Sequence, residues 1–141
     1  IAGDWTGSGT DEVGLYDPST SIFYLRNTLT SGVADETIKF GNPGDIPIVG
    51  NWYGTGQDVI GVYRPSNSTF YLASSNTPNT TAAYTIFYGN PGAGWLPIIG
   101  DWTDSGYDTI GLYNHTTATF YLRNSLSSGT ADETFVYGDG N

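Results

Sequence analysis

The sequence predicts an all-β fold made of three blade-like repeats of four strands each, with essentially no helix. The segment "GDWTGSGTDEVGLY", which begins at Gly3, returns as "GNWYGTGQDVIGVY" from Gly50 and as "GDWTDSGYDTIGLY" from Gly100. Short runs rich in Val, Ile, Thr, Tyr and Phe alternate with clusters of Gly, Pro, Asn and Ser, which is typical of strands joined by turns. No stretch repeats its apolar residues at about every 3.6 positions, as an amphipathic helix would.

Three tryptophans define the length of the repeat. Trp5, Trp52 and Trp102 are 47 and 50 residues apart, and aligning them divides the chain into units 1–47, 48–97 and 98–141. Repeats with a period of roughly 20 to 50 residues build arrays in which each unit packs on its neighbours. We therefore expect one continuous repeat domain that is part of a larger array or assembly.

Each unit supplies four strand-like runs in the same order. The second runs are "EVGLY", "VIGVY" and "TIGLY", and the third runs are "IFYLRN", "TFYLAS" and "TFYLRN". The first runs include "IPIVGNW" and "LPIIGDW", and the fourth runs are "ETIKF", "YTIFY" and "ETFVY". In "IFYLRN" both faces of the strand are apolar, because Phe23 and Leu25 face one side while Ile22 and Tyr24 face the other. Such a sheet needs cover on both sides, which predicts a β-propeller-type or stacked repeat array.

The charge of the chain excludes some classes of partner. Fourteen acidic residues against four basic ones give a net charge of −10, so the surface repels phosphate backbones and nucleic acid is not an expected partner. No apolar run reaches the roughly 18 residues of a membrane-spanning helix, so we expect no membrane insertion. The chain has no cysteine, which excludes disulfides, thiolate zinc sites and cysteine nucleophiles.

Catalytic machinery is sparse, and we do not expect an enzyme. His115 is the only histidine and lies in the turn-like run "YNHTT", so a triad built on histidine has one poor candidate for its base. Carboxylate pairs are numerous, but none lies in a sequence context that would raise a pKa.

The run Gly3-Asp4-Trp5-x-Gly7-x-Gly9-x-Asp11 followed by "VGLY" resembles the FG-GAP and VCBS-type repeats of bacterial surface proteins. These are related to the blades of integrin heads, and the resemblance covers all three units. It implies a blade-like fold and an extracellular or cell-surface location. A fold does not fix an activity, so the resemblance is specific for the repeat class and not for a ligand.

In that family the loop after the first strand often binds calcium, and the resemblance therefore implies a candidate metal site in this loop. Calcium needs roughly six to eight oxygen ligands, several of them carboxylates, whereas this chain places mostly hydroxyls there. The alternative is a Gly-rich turn closed by an Asp that accepts backbone N–H groups and needs no metal. We expect calcium to be dispensable and no other cofactor. The weak calcium candidates are Asp4, Thr6, Ser8 and Asp11 in the first unit, and Asp101, Thr103, Ser105 and Asp108 in the third.

The aromatic residues supply a second kind of candidate site. Trp5, Trp52 and Trp102 occupy the same position in each unit, which predicts core packing rather than sugar-stacking platforms. Trp95 lies in the inserted run "PGAGWLP" and has no counterpart. It is therefore the aromatic residue that we expect to be exposed, and a candidate for ligand binding.

Polar positions also recur between units. Arg26 and Arg123 are equivalent, and each is expected to form an ion pair with an acidic residue of the recurring "ADET", which is Asp35 or Glu36 in the first unit. Three Asn-x-Ser/Thr sequons fall in predicted turns and are candidate glycosylation sites in a host that N-glycosylates proteins. These sequons begin at Asn67, Asn79 and Asn114.

Two hypotheses for function follow from this reading. The first is a non-catalytic extracellular module for binding or adhesion, with a glycan or protein ligand. The alternative is a structural subunit of a fibre or surface layer that assembles head to tail through its repeats. Three units leave two open apolar faces, which soluble monomers rarely tolerate, so the expected partners are copies of the chain or further repeats of it.

Overall fold

The computed structural model describes residues 1–140, and Asn141, the last residue of the third unit, lies outside the described residues. Twelve strands and no helix occur in residues 1–140. The all-β class and the three four-stranded repeats are thus confirmed. Within the same residues, no helix is long and apolar enough to cross a bilayer. The strands are β1 (Ala2–Gly3), β2 (Glu12–Asp17), β3 (Ile22–Leu25), β4 (Glu36–Lys39), β5 (Ile46–Gly50), β6 (Val59–Arg64), β7 (Thr69–Ala73), β8 (Ala82–Phe87), β9 (Leu96–Gly100), β10 (Thr109–Asn114), β11 (Thr119–Leu122) and β12 (Glu133–Val136).

The strands form three antiparallel sheets in chain order. The first sheet contains β1 to β4, the second β5 to β8 and the third β9 to β12, and within each sheet every strand pairs with the next one along the chain. The unit boundaries expected at 47/48 and 97/98 fall inside β5 and β9, so the second and third sheets begin at Ile46 and Leu96 instead.

The glycine in the middle of each second strand allows the neighbouring strands to approach closely. In the second sheet, a Cβ added to Gly61 would lie 2.9 Å from the carbonyl oxygen of Tyr71 and 3.1 Å from the side chain of Ile48. These distances are too short for any larger residue without a shift of the backbone.

The second sheet lies between the other two and is covered on both faces. Every residue of β6 from Val59 to Tyr63 is buried, and on β7 both Phe70 and Leu72 are fully enclosed. The first strands of successive sheets contact one another, β1 with β5 and β5 with β9. The strands are therefore apolar on both faces because neighbouring copies of the sheet cover both faces, as the sequence indicated.

Candidate functional site

The loop after each first strand is closed by its own side chain. The Asp4 carboxylate accepts hydrogen bonds from the backbone N–H groups of Ser8 at 2.9 Å and Gly9 at 2.6 Å. In the third sheet the Asp101 carboxylate accepts from Ser105 at 2.9 Å and Gly106 at 2.8 Å. In both loops the carboxylate is thus held by backbone N–H groups of its own turn.

The electrostatics of the two loops agree with that geometry. Desolvation raises the pKa of the Asp4 carboxyl, but backbone N–H donors led by Gly9 and Ser8 outweigh it and hold the pKa below its usual value. Backbone hydrogen bonds from Ser105 and then Gly106 lower the pKa of Asp101. Both carboxylates are therefore kept ionised by the chain's own donors.

Some of the other calcium candidates lie against these carboxylates, since the Ser105 hydroxyl donates to Asp101 at 3.0 Å and the Thr6 hydroxyl is 3.5 Å from an Asp4 oxygen. Thr6 donates to Glu12 at 3.0 Å, and Ser8 donates to the carbonyl oxygen of Thr10 at 3.4 Å. Thr103 is exposed, and Asp108 accepts from the second sheet, as described next. Among residues 1–140, no three His, Cys, Asp or Glu residues are grouped as a metal ion would require. Whether calcium is dispensable stays a prediction.

The aspartate that ends each loop reaches across to the preceding sheet. Asp58 of the second sheet accepts a hydrogen bond from the Asp4 N–H at 2.8 Å and returns one from its own N–H to the Asp4 carbonyl oxygen, also at 2.8 Å. Asp108 of the third sheet does the same with Asn51, at 2.8 and 2.9 Å. We call this two-bond contact the aspartate clasp.

The clasp is partly buried and carries like charges. Desolvation is the main cause of the raised pKa of Asp58, the hydrogen bond from Asp4 opposes it, and the charges of Asp108, Asp11 and Asp4 raise it further. The sequence analysis assigned the equivalent Asp11 and Asp108 to their own loops, because a contact between units that are about 50 residues apart leaves no local signal.

In the first sheet, no other sheet among residues 1–140 packs against the clasp aspartate. Asp11 is equivalent to Asp58 and Asp108, and it is exposed. At the other end, Asp101 is equivalent to Asp4 and Asn51, and it is exposed as well. The two halves of one more clasp therefore lie at opposite ends of the chain.

The apolar faces at the two ends are open in the same way. On the first sheet Leu15 is 74% exposed, whereas the equivalent Leu112 of the third sheet is fully buried. On the third sheet Tyr137 is 76% exposed, whereas the equivalent Tyr88 of the second is 3% exposed. Burial is the main cause that raises the pKa of Tyr88 to about 12.

The outer rims of the two joints between sheets use different chemistry. Between the first and second sheets, Arg64 donates two 2.8 Å hydrogen bonds to the buried Asp45 and lies 4.5 Å from the ring centroid of Tyr71. Between the second and third sheets, Trp95 stacks on Tyr121 with 4.7 Å between ring centroids and 8° between planes.

The expectation that Trp95 is the exposed aromatic residue is wrong. Its inserted loop folds back so that the indole covers Tyr121, and Trp95 is half-buried against the core. A groove of about 410 Å³ remains beside it, lined by Asn90, Thr130 and Thr134 among others. Ligand binding by Trp95 stays a prediction.

Two of the three repeated tryptophans pack in the core as the alignment predicted, and Trp102 does not. Trp5 and Trp52 are buried at 3% and 2% exposure. Trp102 is only half-buried, because no further sheet among residues 1–140 packs on that side of the third sheet. The indole N–H groups of Trp5 and Trp102 donate to the carbonyl oxygens of Val13 and Ile110.

The two equivalent arginines organise the loops between the third and fourth strands. Ion pairs with Asp35 at 3.4 Å and Asp132 at 3.1 Å confirm the predicted pairing for Arg26 and Arg123. Each guanidinium also donates to several loop carbonyl oxygens, for example that of Val33 from Arg26. The arginines therefore act mainly as structural centres of their loops.

The three sequons differ in accessibility. Asn79 is exposed in a turn, as expected. Asn67 donates to the Tyr71 hydroxyl and its side-chain oxygen is enclosed. Asn114 is the last residue of β10 rather than part of the following turn. Of the three, Asn79 best fits an attached glycan.

Sequence reasoning missed an aromatic cleft between the second and third sheets. It has a volume of about 450 Å³ and is lined by Trp52, Tyr53, Tyr84, Tyr107 and Leu126. The available signal was that all three tyrosines are specific to these two units, since the first unit has Thr6, Glu36 and Thr10 at the positions of Tyr53, Tyr84 and Tyr107.

No family model, curated protein or solved structure matches the chain.

Proposed function

We propose that this chain is a non-catalytic repeat module that works by assembling head to tail through its two outer sheet faces. One observation carries the proposal: the open faces are the two halves of a joint that already occurs twice inside the chain. Leu15 is exposed where Leu112 is buried, and Tyr137 is exposed where Tyr88 is buried. A second copy of the chain presents the missing half to each face.

The energetic balance favours such a contact. Burial of apolar surface contributes about 25 cal/mol per Å², and both faces carry several large apolar side chains. The net charge of −10 opposes association, but repulsion between exposed charges is screened beyond roughly 8–10 Å in physiological salt. A contact between two different faces closes into a ring or continues as a filament.

The resemblance of the repeat to FG-GAP and VCBS-type sequences supports an extracellular or cell-surface setting. In that setting, an assembled array would serve adhesion or form a fibre or surface layer. The sparse candidates for catalysis agree with a role in interaction rather than chemistry.

The decisive experiment uses two chains that are blocked at opposite ends. Leu15→Asp places a charge on the outer face of the first sheet, and Tyr137→Asp does so on the third. Both positions are exposed in the single chain, so both variants should fold. We expect each variant alone to be monomeric in sedimentation velocity, and their mixture to form a one-to-one dimer that grows no further.

Wild-type protein is the reference in the same experiment. Its mass should rise with concentration, either to a closed oligomer or without limit. A wild-type chain that stays at its 15.1 kDa monomer mass at all concentrations would refute the proposal. So would a mixture of the two variants in which no dimer forms.

Glycan binding beside Trp95 is a second candidate function. The stacking on Tyr121 holds the indole rigidly, and the adjoining groove offers the hydroxyl groups of Thr130 and Thr134, a combination that suits a sugar ring. A glycan array probed with the wild-type chain should then show binding, and the Trp95→Ala variant should show none. Tyr107→Ala, in the separate aromatic cleft, is the matched control.

A further inference from the structure

We infer that Asp11 of one chain and Asp101 of a second copy form a third aspartate clasp, which fixes the direction and register of the assembly. This inference rests on the proposed function and names the residues that join the two chains. In the clasp, the Asp11 carboxylate accepts the N–H of Asp101, and the Asp11 N–H donates to the Asp101 carbonyl oxygen.

The two clasps inside the chain set the geometry. All four of their hydrogen bonds lie between 2.8 and 2.9 Å, although the two joints differ in their rim residues. The earlier residue contributes only its backbone, since Asp4 serves in one clasp and Asn51 in the other. The later residue contributes a carboxylate in both. Asp11 therefore supplies the side chain that the contact requires, and Asp101 supplies backbone groups at the equivalent position.

The glycine that follows the fourth strand of each sheet is a second feature of the joint, and it is covered at both internal joints and open at the third sheet. A Cβ added to Gly41 would lie 2.9 Å from a methyl group of Val62 in the next sheet, and one added to Gly89 would overlap the side chain of Leu112. These glycines form sockets for the second strand of the following sheet. At the third sheet, the equivalent Gly138 has only its own sheet's Ala118 and Tyr113 nearby, so its socket is open for Leu15 of a second copy.

The occupant is a second copy because both halves of the joint are present on one chain. The outer face of the first sheet forms a groove of about 300 Å³ lined by Val13, Leu15 and Tyr24 among others, next to Asp11. The third sheet offers the glycine socket at Gly138 and, after its first strand, the exposed backbone of Asp101. Two first sheets facing each other would instead oppose Asp11 with Asp11, and neither carboxylate would meet the backbone N–H that Asp4 and Asn51 supply in the internal clasps.

The test uses the dimer of the two blocked chains. The Tyr137→Asp chain contributes its first sheet to this dimer, and with it Asp11. We expect Asp11→Ala in that chain to weaken the dimer by about ten- to a hundred-fold in Kd, the range for loss of a hydrogen bond to a charged group. Asp11→Asn keeps a side-chain oxygen that accepts the N–H and should stay within about three-fold.

The same substitution provides its own control. In the Leu15→Asp chain the first sheet takes no part in the dimer, so Asp11→Ala should leave Kd unchanged there. A dimer that forms normally but is equally tight with Asp11→Ala in either chain would overturn the clasp and leave the proposed assembly standing. If the two blocked chains never associate, the assembly and the clasp both fail.

Discussion

Two equivalent leucines give a direct measure of how far a sheet depends on its neighbour. Leu15 and Leu112 hold the same place in the motif, in "VGLY" and "IGLY", and both lie in the middle of a second strand. They differ in cover: Leu15 is 74% exposed and Leu112 is fully buried. Truncation of each to Ala therefore changes the same chemistry in two environments.

The expected magnitudes follow from burial. Leu112→Ala removes apolar carbon atoms worth about 0.8 kcal/mol for each CH₂ group and leaves a cavity, because Gly89 and its neighbours form a tight socket around the side chain. We expect a loss of about 3–4 kcal/mol in the free energy of unfolding, inside the range for buried Leu-to-Ala changes. For Leu15→Ala in the monomeric chain we expect a change within about 0.5 kcal/mol.

Urea denaturation followed by tryptophan fluorescence measures both values, at a concentration where the chain is monomeric. An equal loss for the two variants would refute the reasoning, because it would mean that the face of the first sheet is covered in the single chain. A loss below about 1 kcal/mol for Leu112→Ala would refute the packing of the third sheet on the second.

The other predictions concern the loop, the core and the clasp. Chelation of calcium should leave the melting temperature nearly unchanged, and a fall of more than about 10 °C would contradict a loop closed by its own donors. Trp52→Ala should cost about 3–5 kcal/mol in urea denaturation; wild-type stability with lost glycan binding would make it a ligand platform instead. Burial raises the pKa of Asp58, so the folded chain holds that proton more tightly than the unfolded chain. The charge of Asp58 therefore lowers the stability of the fold at neutral pH. This loss declines as pH falls through the folded-state pKa and is gone below the unfolded-state pKa. Asp58→Asn should therefore be at least as stable as wild type at neutral pH and lose that advantage below the unfolded-state value of 3.8; an advantage that does not change with pH would contradict this.

The sheets were predictable because their signals are local. The alternation of Phe23, Tyr24 and Leu25 marks a strand with two apolar faces, and the Gly-rich turns mark its ends, so strand order and stacking follow from short stretches of sequence. The boundaries were less accurate. Ile46 and Leu96 begin β5 and β9, whereas alignment on the tryptophans placed the start of each of these units two residues later.

The contacts between sheets were not predictable in the same way. Nothing near Asp58 in the sequence shows that its carboxylate binds the backbone of Asp4, because the partner is a main-chain group and leaves no residue-type signal. Trp95 was misjudged for a related reason. Its loop has no counterpart to align with, and only the position of Tyr121 in the next sheet decides which way the indole turns.

The aspartate clasp has a consequence for growth. The charges of Asp108 and Asp11 already contribute to raising the pKa of Asp58 within one chain, and each chain added head to tail would bring three more clasp aspartates into the same row. Electrostatic repulsion along such a row accumulates with every chain, while the apolar area gained per joint stays constant. The length of the assembly would then depend on ionic strength, as it does for a polyelectrolyte rod. Low ionic strength would favour short oligomers, and counterions that screen the row beyond roughly 10 Å would allow long ones.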